Sequence, residues 1–333
     1  MCAKTLQPFI IKAKYISTIS GAHPGGRFLI ETFNTHDGLK IRFARYTCGE
    51  KGCRGIVVLL GGRSEFIEKY KETIDELLAR KFDVVTFDWR GQGLSDRMLP
   101  NRYKGYVETY DDYLMDLTRF MKRHVPDKGD IPVLMLAHSM GGHIALRYLH
   151  DHPGRIEKAV LTSPLIDIAG PTLMTQTMKV ITKIAVKSGL KENYATRAND
   201  FDPSKKRFTG NRLTRDPRRF QKTMQMIADN PKVAIGGVTF GWLDATFNSI
   251  QHMLSVGYLE SIRTPVTMIS AGGDEIVSVA AQKKVCRRIP NCHWVMIPGA
   301  LHELLIETDA VQKKIWQIFD GFISDSTAAH LSA

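Results

Sequence analysis

Short apolar runs alternate with amphipathic stretches along this chain, and that alternation constrains its fold more than any other feature. Residues 56–60, 82–87, 131–137 and 159–162 are dominated by Val, Ile, Leu, Phe and Ala, as strands buried on both faces require. Between them, residues 65–80, 110–124 and 140–150 carry helical spacing, seen in Phe66, Tyr70, Ile74 and Leu78. Strands alternating with helices predict an α/β fold with a mainly parallel central sheet and helices on both faces. A hairpin precedes them, with strands at 28–33 and 39–45 around the turn signal His36-Asp37-Gly38. The pattern stops after Ser163-Pro164 and resumes at Thr264-Pro265. A strand at 266–270, a helix at 278–288, a strand at 293–297 and a last helix to about 323 then complete the sheet. The expected organisation is a core at 25–164 and 263–323, with a helical cap insertion at 165–262 over the C-terminal edge of the sheet. Residues after Ser324 read as a frayed tail.

The chain has 333 residues, 43% hydrophobic and 24% charged, which excludes disordered and collagen-like classes. A net charge of +12 speaks of surface partners rather than of fold. Nucleic acid is excluded as partner, because no aromatic residues are interleaved with the cations as stacking platforms and no reading motif is present. The five cysteines (Cys2, Cys48, Cys53, Cys286 and Cys292) are odd in number and fit no zinc spacing, so reduced thiols in a cytoplasmic setting are expected. Cys48 and Cys53 flank a glycine-containing turn that would let them approach each other. In residues 1–20, Lys12 and Lys14 interrupt the apolar run 9–11, which makes a poor signal peptide. No run of about 18 apolar residues exists, so no transmembrane helix is expected.

The run 131–137 leads straight into Ala137-His138-Ser139-Met140-Gly141-Gly142, where a helix begins. A serine between a buried strand and a helix, with small residues two before and two after it, is the pattern of a nucleophile elbow. The alternative role for Ser139 is a helix N-cap, which does not require small residues on both sides. A serine hydroxyl needs a base, and the base an orienting acid, placed in this fold after late strands in the order Ser, acid, His. Asp274 follows 266–270 across Ala271-Gly272-Gly273, with Glu275 as its rival, and His302 follows 293–297. Of the eleven histidines, His302 alone sits in a loop directly after the last strand. His293 is inside that strand, His138 is expected to point away from the nucleophile, and His150 and His152 lie near a helix C-terminus rather than forming a metal pair.

Acyl transfer builds negative charge on the carbonyl oxygen, and backbone N–H groups can hold it, each contributing roughly 3 kcal/mol. Met140 supplies one such group, and the loop Gly61-Gly62-Arg63-Ser64-Glu65 the other, with Arg63 first choice and Gly62 in reserve. The glycines do not make a phosphate loop, because no Gly-Lys-Ser/Thr ending follows.

Gly61-Gly62-Arg63-Ser64-Glu65, the stretch Phe87-Asp88-Trp89-Arg90-Gly91-Gln92-Gly93-Leu94-Ser95, His138 to Gly142, and Leu301-His302-Glu303 together resemble the monoacylglycerol lipase and bacterial lysophospholipase group of serine hydrolases. The likeness spans about residues 25 to 323 and is nearer to the bacterial lysophospholipases, through Arg63, the Arg-Gly-Gln-Gly-x-Ser loop and Gly236-Gly237. It implies the α/β-hydrolase fold and a cytoplasmic or membrane-peripheral enzyme that releases a fatty acid from a single-chain lipid without metal or organic cofactor. Two departures stand out. Ala137 replaces the glycine usual in the elbow, and Gly61 stands where monoacylglycerol lipases have a histidine. Asp88 to Ser95 is read as a packing and loop-shaping element.

In the insertion, Met174, Met178, Ile181 and Ala185 share a helical face, while Lys179, Lys183 and Lys187 line another. This pattern is either an ordinary amphipathic helix with a solvated lysine edge or a membrane-facing surface. Lys205, Lys206, Arg207, Arg212, Arg215, Arg218, Arg219 and Lys222 form a basic segment suited to phospholipid headgroups and anionic bilayers. Trp242 and Phe247 are candidates for lining an acyl groove or for core packing. The expected activity is hydrolysis of a lysophospholipid or monoacylglycerol ester, with a general carboxylesterase and a non-hydrolytic receptor as alternatives. The expected location is cytoplasmic, peripheral at the inner membrane.

Overall fold

The computed structural model describes residues 19–23, 26–49, 52–127 and 131–325. The expectations for the N-terminal twenty residues, up to residue 18, for Cys2 and for the tail beyond 325 lie outside the described residues. Strands β1 (Ile19–His23), β2 (Gly26–Asn34) and β3 (Lys40–Thr47) open the chain. They are followed by β4 (Gly55–Leu60), α1 (Lys71–Ala79), β5 (Phe82–Phe87), α2 (Tyr110–His124), β6 (Val133–His138), α3 (Met140–Asp151) and β7 (Lys158–Thr162). Helices α4 (Thr172–Lys187), α5 (Pro217–Asp229) and α6 (Phe240–Met253) come next, and β8 (Val266–Ala271), α7 (Val279–Cys286), β9 (Cys292–Ile297) and α8 (Asp309–Ser324) end the fold.

The nine strands form one sheet in the order β1-β2-β3-β5-β4-β6-β7-β8-β9. Pairing is antiparallel from β1 to β5 and parallel from β5 through β4 to β9. Every residue of β4, β6, β7 and β8 is buried, which is why these strands read as unbroken apolar runs rather than as alternating ones. Two apolar layers cover the faces. Ile56, Val58, Leu60, Leu117, Phe120 and Ile144 belong to one, and Val57, Leu59, Ile74, Leu77, Ile315 and Phe319 to the other.

Three expectations need correcting. The first helix was expected from Glu65, but a single tight turn at Ile67–Tyr70 precedes α1. The Glu65 carboxylate is folded back to accept from the Gly62 N–H and the Tyr70 hydroxyl, so this residue closes a loop instead of opening a helix. Strand β1 lies before residue 25 and carries Ser20, Gly21 and Ala22, residues with little strand preference; its pairing with β2 alone places it at the edge. Finally, Cys286 and Cys292 are not reduced thiols but form a disulfide, their Cα atoms 5.3 Å apart where α7 ends and β9 begins. Cys48 and Cys53 are free, and they do approach: their sulfurs and a carboxylate oxygen of Asp83 lie within 4.8 Å of one another. Burial and the Cys53 thiol push the Cys48 thiol up to about 12.

Candidate active site

Parallel register brings the site together. Leu60 of β4 is level with Ala137 of β6, and His138 is level with Thr162 of β7. The chain therefore leaves β6 at Ser139 between the ends of two neighbours. Ser139 adopts φ 51° and ψ −116°, a backbone state that L residues avoid, and its side chain caps nothing. The N-cap alternative is thereby removed. The small residues have physical reasons: a Cβ at Gly141 would stand 2.5 Å from the Gly61 carbonyl oxygen, and one at Gly142 2.8 Å from Cβ of Pro164. Ala137 is fully buried yet accommodated within the strand.

The structure brings three distant residues into line. His302 Nε2 lies 3.0 Å from Ser139 Oγ, and Nδ1 lies 2.7 Å from Asp274 Oδ2. With Nδ1–H donated to the carboxylate, Nε2 carries the lone pair that can accept the serine proton. The second oxygen of Asp274 accepts from the N–H groups of Ile276 and Val277 at 2.8 and 3.0 Å. Burial alone would raise the Asp274 pKa, but the His302 ring and these two donors outweigh it and hold the carboxyl below its ordinary value. Glu275, the rival acid, is exposed.

The loop after β4 lies against the serine, since a Cβ on Gly62 would be 3.0 Å from Cβ of Ser139. Within it, the Gly62 N–H is taken by Glu65 and the Ser64 N–H by Gln92 Oε1. Among the described residues the Arg63 N–H that lies between them has no acceptor. The Met140 N–H opens α3, where no intrahelical acceptor exists. Gly62, the reserve donor, is thus committed elsewhere.

Several contacts that shape this site could not be paired from sequence. Trp89 Nε1 donates to the Gly61 carbonyl at 2.8 Å, and Gln92 fixes Ser64, so the 88–95 stretch does shape the loop beside Ser139. Asp88 accepts from Arg42 at 3.0 Å, from the Ile67 N–H at 2.9 Å and from the Leu94 N–H at 2.8 Å. Lys69 bridges Glu65 at 2.8 Å and Glu303 at 2.7 Å, tying the loop after β4 to the residue after His302. Glu65 to Lys69 is a visible four-residue pair, but Glu303 is too distant in the chain to be paired by inspection. His138, expected to point away, has its ring 5.0 Å from that of His302; Thr162 binds its Nδ1, and burial pulls its pKa down to about 4. His150 and His152 bond Asp151 and Thr118 separately. Trp242 and Phe247 are buried in the core.

A family model described as serine aminopeptidase, S33 (Hydrolase_4) matches residues 51–309. The chain belongs to this family. As an S33 hydrolase it has the α/β-hydrolase fold and the ester-hydrolase class expected of it. It is similar to lysophospholipase L2 of Escherichia coli strain K12, at 29% identity over 84% of this chain and 83% of that protein. The probable lysophospholipase L2 of Haemophilus influenzae is 27% identical over 86% of this chain and 89% of its own length. Among solved structures, a soluble variant of monoglyceride lipase from Saccharomyces cerevisiae in complex with a substrate analog superposes with a TM-score of 0.70, at 21% identity, covering 95% of this chain and 99% of that one.

Within residues 165–262 of this S33 hydrolase, the basic segment divides: Lys206, Arg207 and Arg212 are exposed, while other cations are paired. Lys205 pairs with Asp202, Arg215 with Glu307, Arg218 with Asp216 and Asp309, and Arg219 and Lys222 with Glu72. The pairs to Glu307, Asp309 and Glu72 dock α5 and the residues before it onto the core, whereas Lys205 pairs only within its own turn. Helix α4 only partly follows the expected faces: Ala185 is buried and Met178 packs on the core, beside the buried Thr175 and Thr182, while Met174 and Ile181 are exposed, as are Leu173 (79%), Val180 (59%) and Ile184 (60%). Among the described residues no helix is long and apolar enough to cross a membrane.

Proposed function

We propose that this protein hydrolyses the carboxylic ester of a single-chain lipid, a lysophospholipid or a monoacylglycerol, through an acyl-enzyme on Ser139. His302 Nε2 takes the proton of Ser139 Oγ as the oxygen attacks the ester carbonyl, and Asp274 holds the resulting imidazolium in place. The carbonyl oxygen turns towards the backbone N–H groups of Arg63 and Met140, which carry its negative charge. Collapse expels the alcohol, protonated by His302, and water repeats the sequence to release the fatty acid and restore Ser139. The observation that carries this reading is the continuous line from Asp274 through His302 to Ser139, at 2.7 and 3.0 Å. The names of its lysophospholipase L2 relatives supply the lipid substrate class.

In the same reading, residues 165–262 form a cap, and its helix α4 rests on an anionic bilayer surface. The outward Leu173, Val180 and Ile184 would enter the acyl region, while Lys183 and Lys187 stay at headgroup level; Lys179 instead turns inward over the Phe247 ring. Fatty-acid release from a panel of lysophospholipids and monoacylglycerols tests the activity, with Ser139→Ala as control. Adding p-nitrophenyl esters of rising chain length and an aminoacyl p-nitroanilide separates the rivals. Cleavage of short esters alone makes the protein a general carboxylesterase, and cleavage of the anilide alone makes it a peptidase.

A further inference from the structure

We propose that the Arg63 side chain anchors the phosphate of the substrate, so that the site selects a single-chain phospholipid over a neutral glyceride; this rests on the lipid-esterase reading above. Arg63 begins one residue from Gly62, the glycine that packs against Ser139. Its guanidinium runs into the contact between the sheet loops and the insertion. There it donates to the Gly236 carbonyl at 2.5 Å and to Ser64 Oγ at 3.1 Å, and it lies over the Trp242 ring, 5.5 Å from the centroid. A Cβ on Gly105 would be 2.6 Å from its Nη2, so glycine makes room for it on the other side.

Two observations together bear on this arginine. The first is the missing counter-charge. Other buried arginines near the site face carboxylates: Arg42 faces Asp88 and Glu68, and Arg90 faces Asp116 and Asp37. Among the described residues no carboxylate pairs with Arg63, and the ionisable groups around it are the phenols of Tyr113, Tyr110 and Tyr194. Burial draws it down to about 10, so it keeps its charge at neutral pH. The second is an idle donor: Nε is buried and has no acceptor, a state shared by Arg45, Arg102, Arg119 and Arg147, so it counts here through its combination with the missing carboxylate and the place beside Ser139. Arg97 makes the contrast. It also lacks a carboxylate, but Nε and both terminal nitrogens are given to the carbonyls of Arg102, Ser95, Gly93 and Lys232. Arg97 is filled, whereas Arg63 is not.

A buried guanidinium without its anion is poorly solvated, and a phosphate offers two oxygens in the geometry of its planar fork. In a lysophospholipid, the glycerol chain separates the phosphate from the ester carbonyl. Arg63 is rooted one residue from the glycine that packs against Ser139, so an ester seated at Ser139 has this cation in the adjoining loop, towards which its phosphate can be turned. A monoacylglycerol has no charge to give it.

The test compares kcat/KM of the full chain on 1-oleoyl-lysophosphatidylglycerol and on 1-oleoylglycerol in the same micelles. The wild type should favour the phosphate-bearing substrate. Arg63→Met should lower that preference at least about tenfold, mainly through KM, and Arg63→Lys should restore part of it. A preference that stays within about twofold overturns the proposal, because the arginine would then only pack. In case Arg63→Met does not fold, inorganic phosphate is titrated against p-nitrophenyl butyrate hydrolysis with the wild type and Arg63→Lys. Competition in the wild type that weakens in Arg63→Lys supports the anchor, and no competition, or equal competition in both, overturns it. If the wild type cleaves p-nitrophenyl butyrate but neither lipid, the lipid-esterase reading fails, and the phosphate competition alone decides the anion site.

Discussion

Lys69 Nζ stands 2.7 Å from Glu303 Oε1, so the residue next to His302 is ion-paired to the segment that carries the loop after β4. The side chains of Lys69, Glu65 and Glu303 are all at least 90% buried, and neither carboxylate has another cation at the site. Replacing Lys69 with Met leaves two buried carboxylates without a cation. That should cost about 3–5 kcal/mol in denaturant unfolding. A loss under about 1 kcal/mol would mean that water reaches the cluster.

The roles of the aligned residues separate by magnitude. Ser139→Ala should abolish labelling by a fluorophosphonate and lower kcat by about 10⁶-fold, while Asp274→Asn, which reverses the His302 tautomer, should lower it by about 10⁴-fold. Retained labelling in Ser139→Ala would place the nucleophile elsewhere.

Acid should act on the cluster through Glu65. Burial works to raise its pKa, but the charge of Lys69 and the hydrogen bonds around it prevail and hold it well below the ordinary range. A depressed folded value means that the stabilisation is complete above the ordinary glutamate pKa of about 4.3 and is lost as pH falls towards the folded value. The gap in unfolding free energy between wild type and Glu65→Gln should therefore narrow as the pH drops from 5 towards 3, in urea titrations. A gap that ignores pH would show that Glu65 is held neutral.

Helix α4 can be tested without disturbing the core, because the residues concerned are solvent-facing. The triple variant Leu173→Ser, Val180→Ser, Ile184→Ser should change stability by less than about 1 kcal/mol. Its partition onto vesicles of phosphatidylethanolamine and phosphatidylglycerol, measured by sedimentation, should drop at least about tenfold. Equal sedimentation of variant and parent would remove the membrane role.

Much of this molecule was legible because buried parallel strands write themselves as continuous apolar runs: 82–87 and the helix 110–124 appear with the bounds expected of them. Ser139, Asp274 and His302 could be picked because strand ends are where this topology exposes side chains, and chain order left few candidates. What escaped inspection depends on partners far apart in sequence. Glu65 looks like the start of a helix until Gly62, Tyr70 and Lys69 are seen to hold its carboxylate. The part of the basic run from Arg215 to Lys222 looks like a free cationic face until Glu72, Glu307 and Asp309 are found beside it. In α4, periodicity found Met178 and Ala185 of the inward face but also placed Met174 and Ile181 there, since the threonines that complete that face carry no hydrophobic signal.

The elbow around Ser139 is asymmetric in what it will accept. A methyl upstream, on residue 137, points into space that the strand can lend. A methyl downstream, on residue 141, would collide with the carbonyl of Gly61 and shift the very loop that faces the reacting carbonyl. Variation among descendants of this chain should accordingly drift at the first position and stay frozen at the second, and a search pattern that insists on glycine at both would pass over working members of the family.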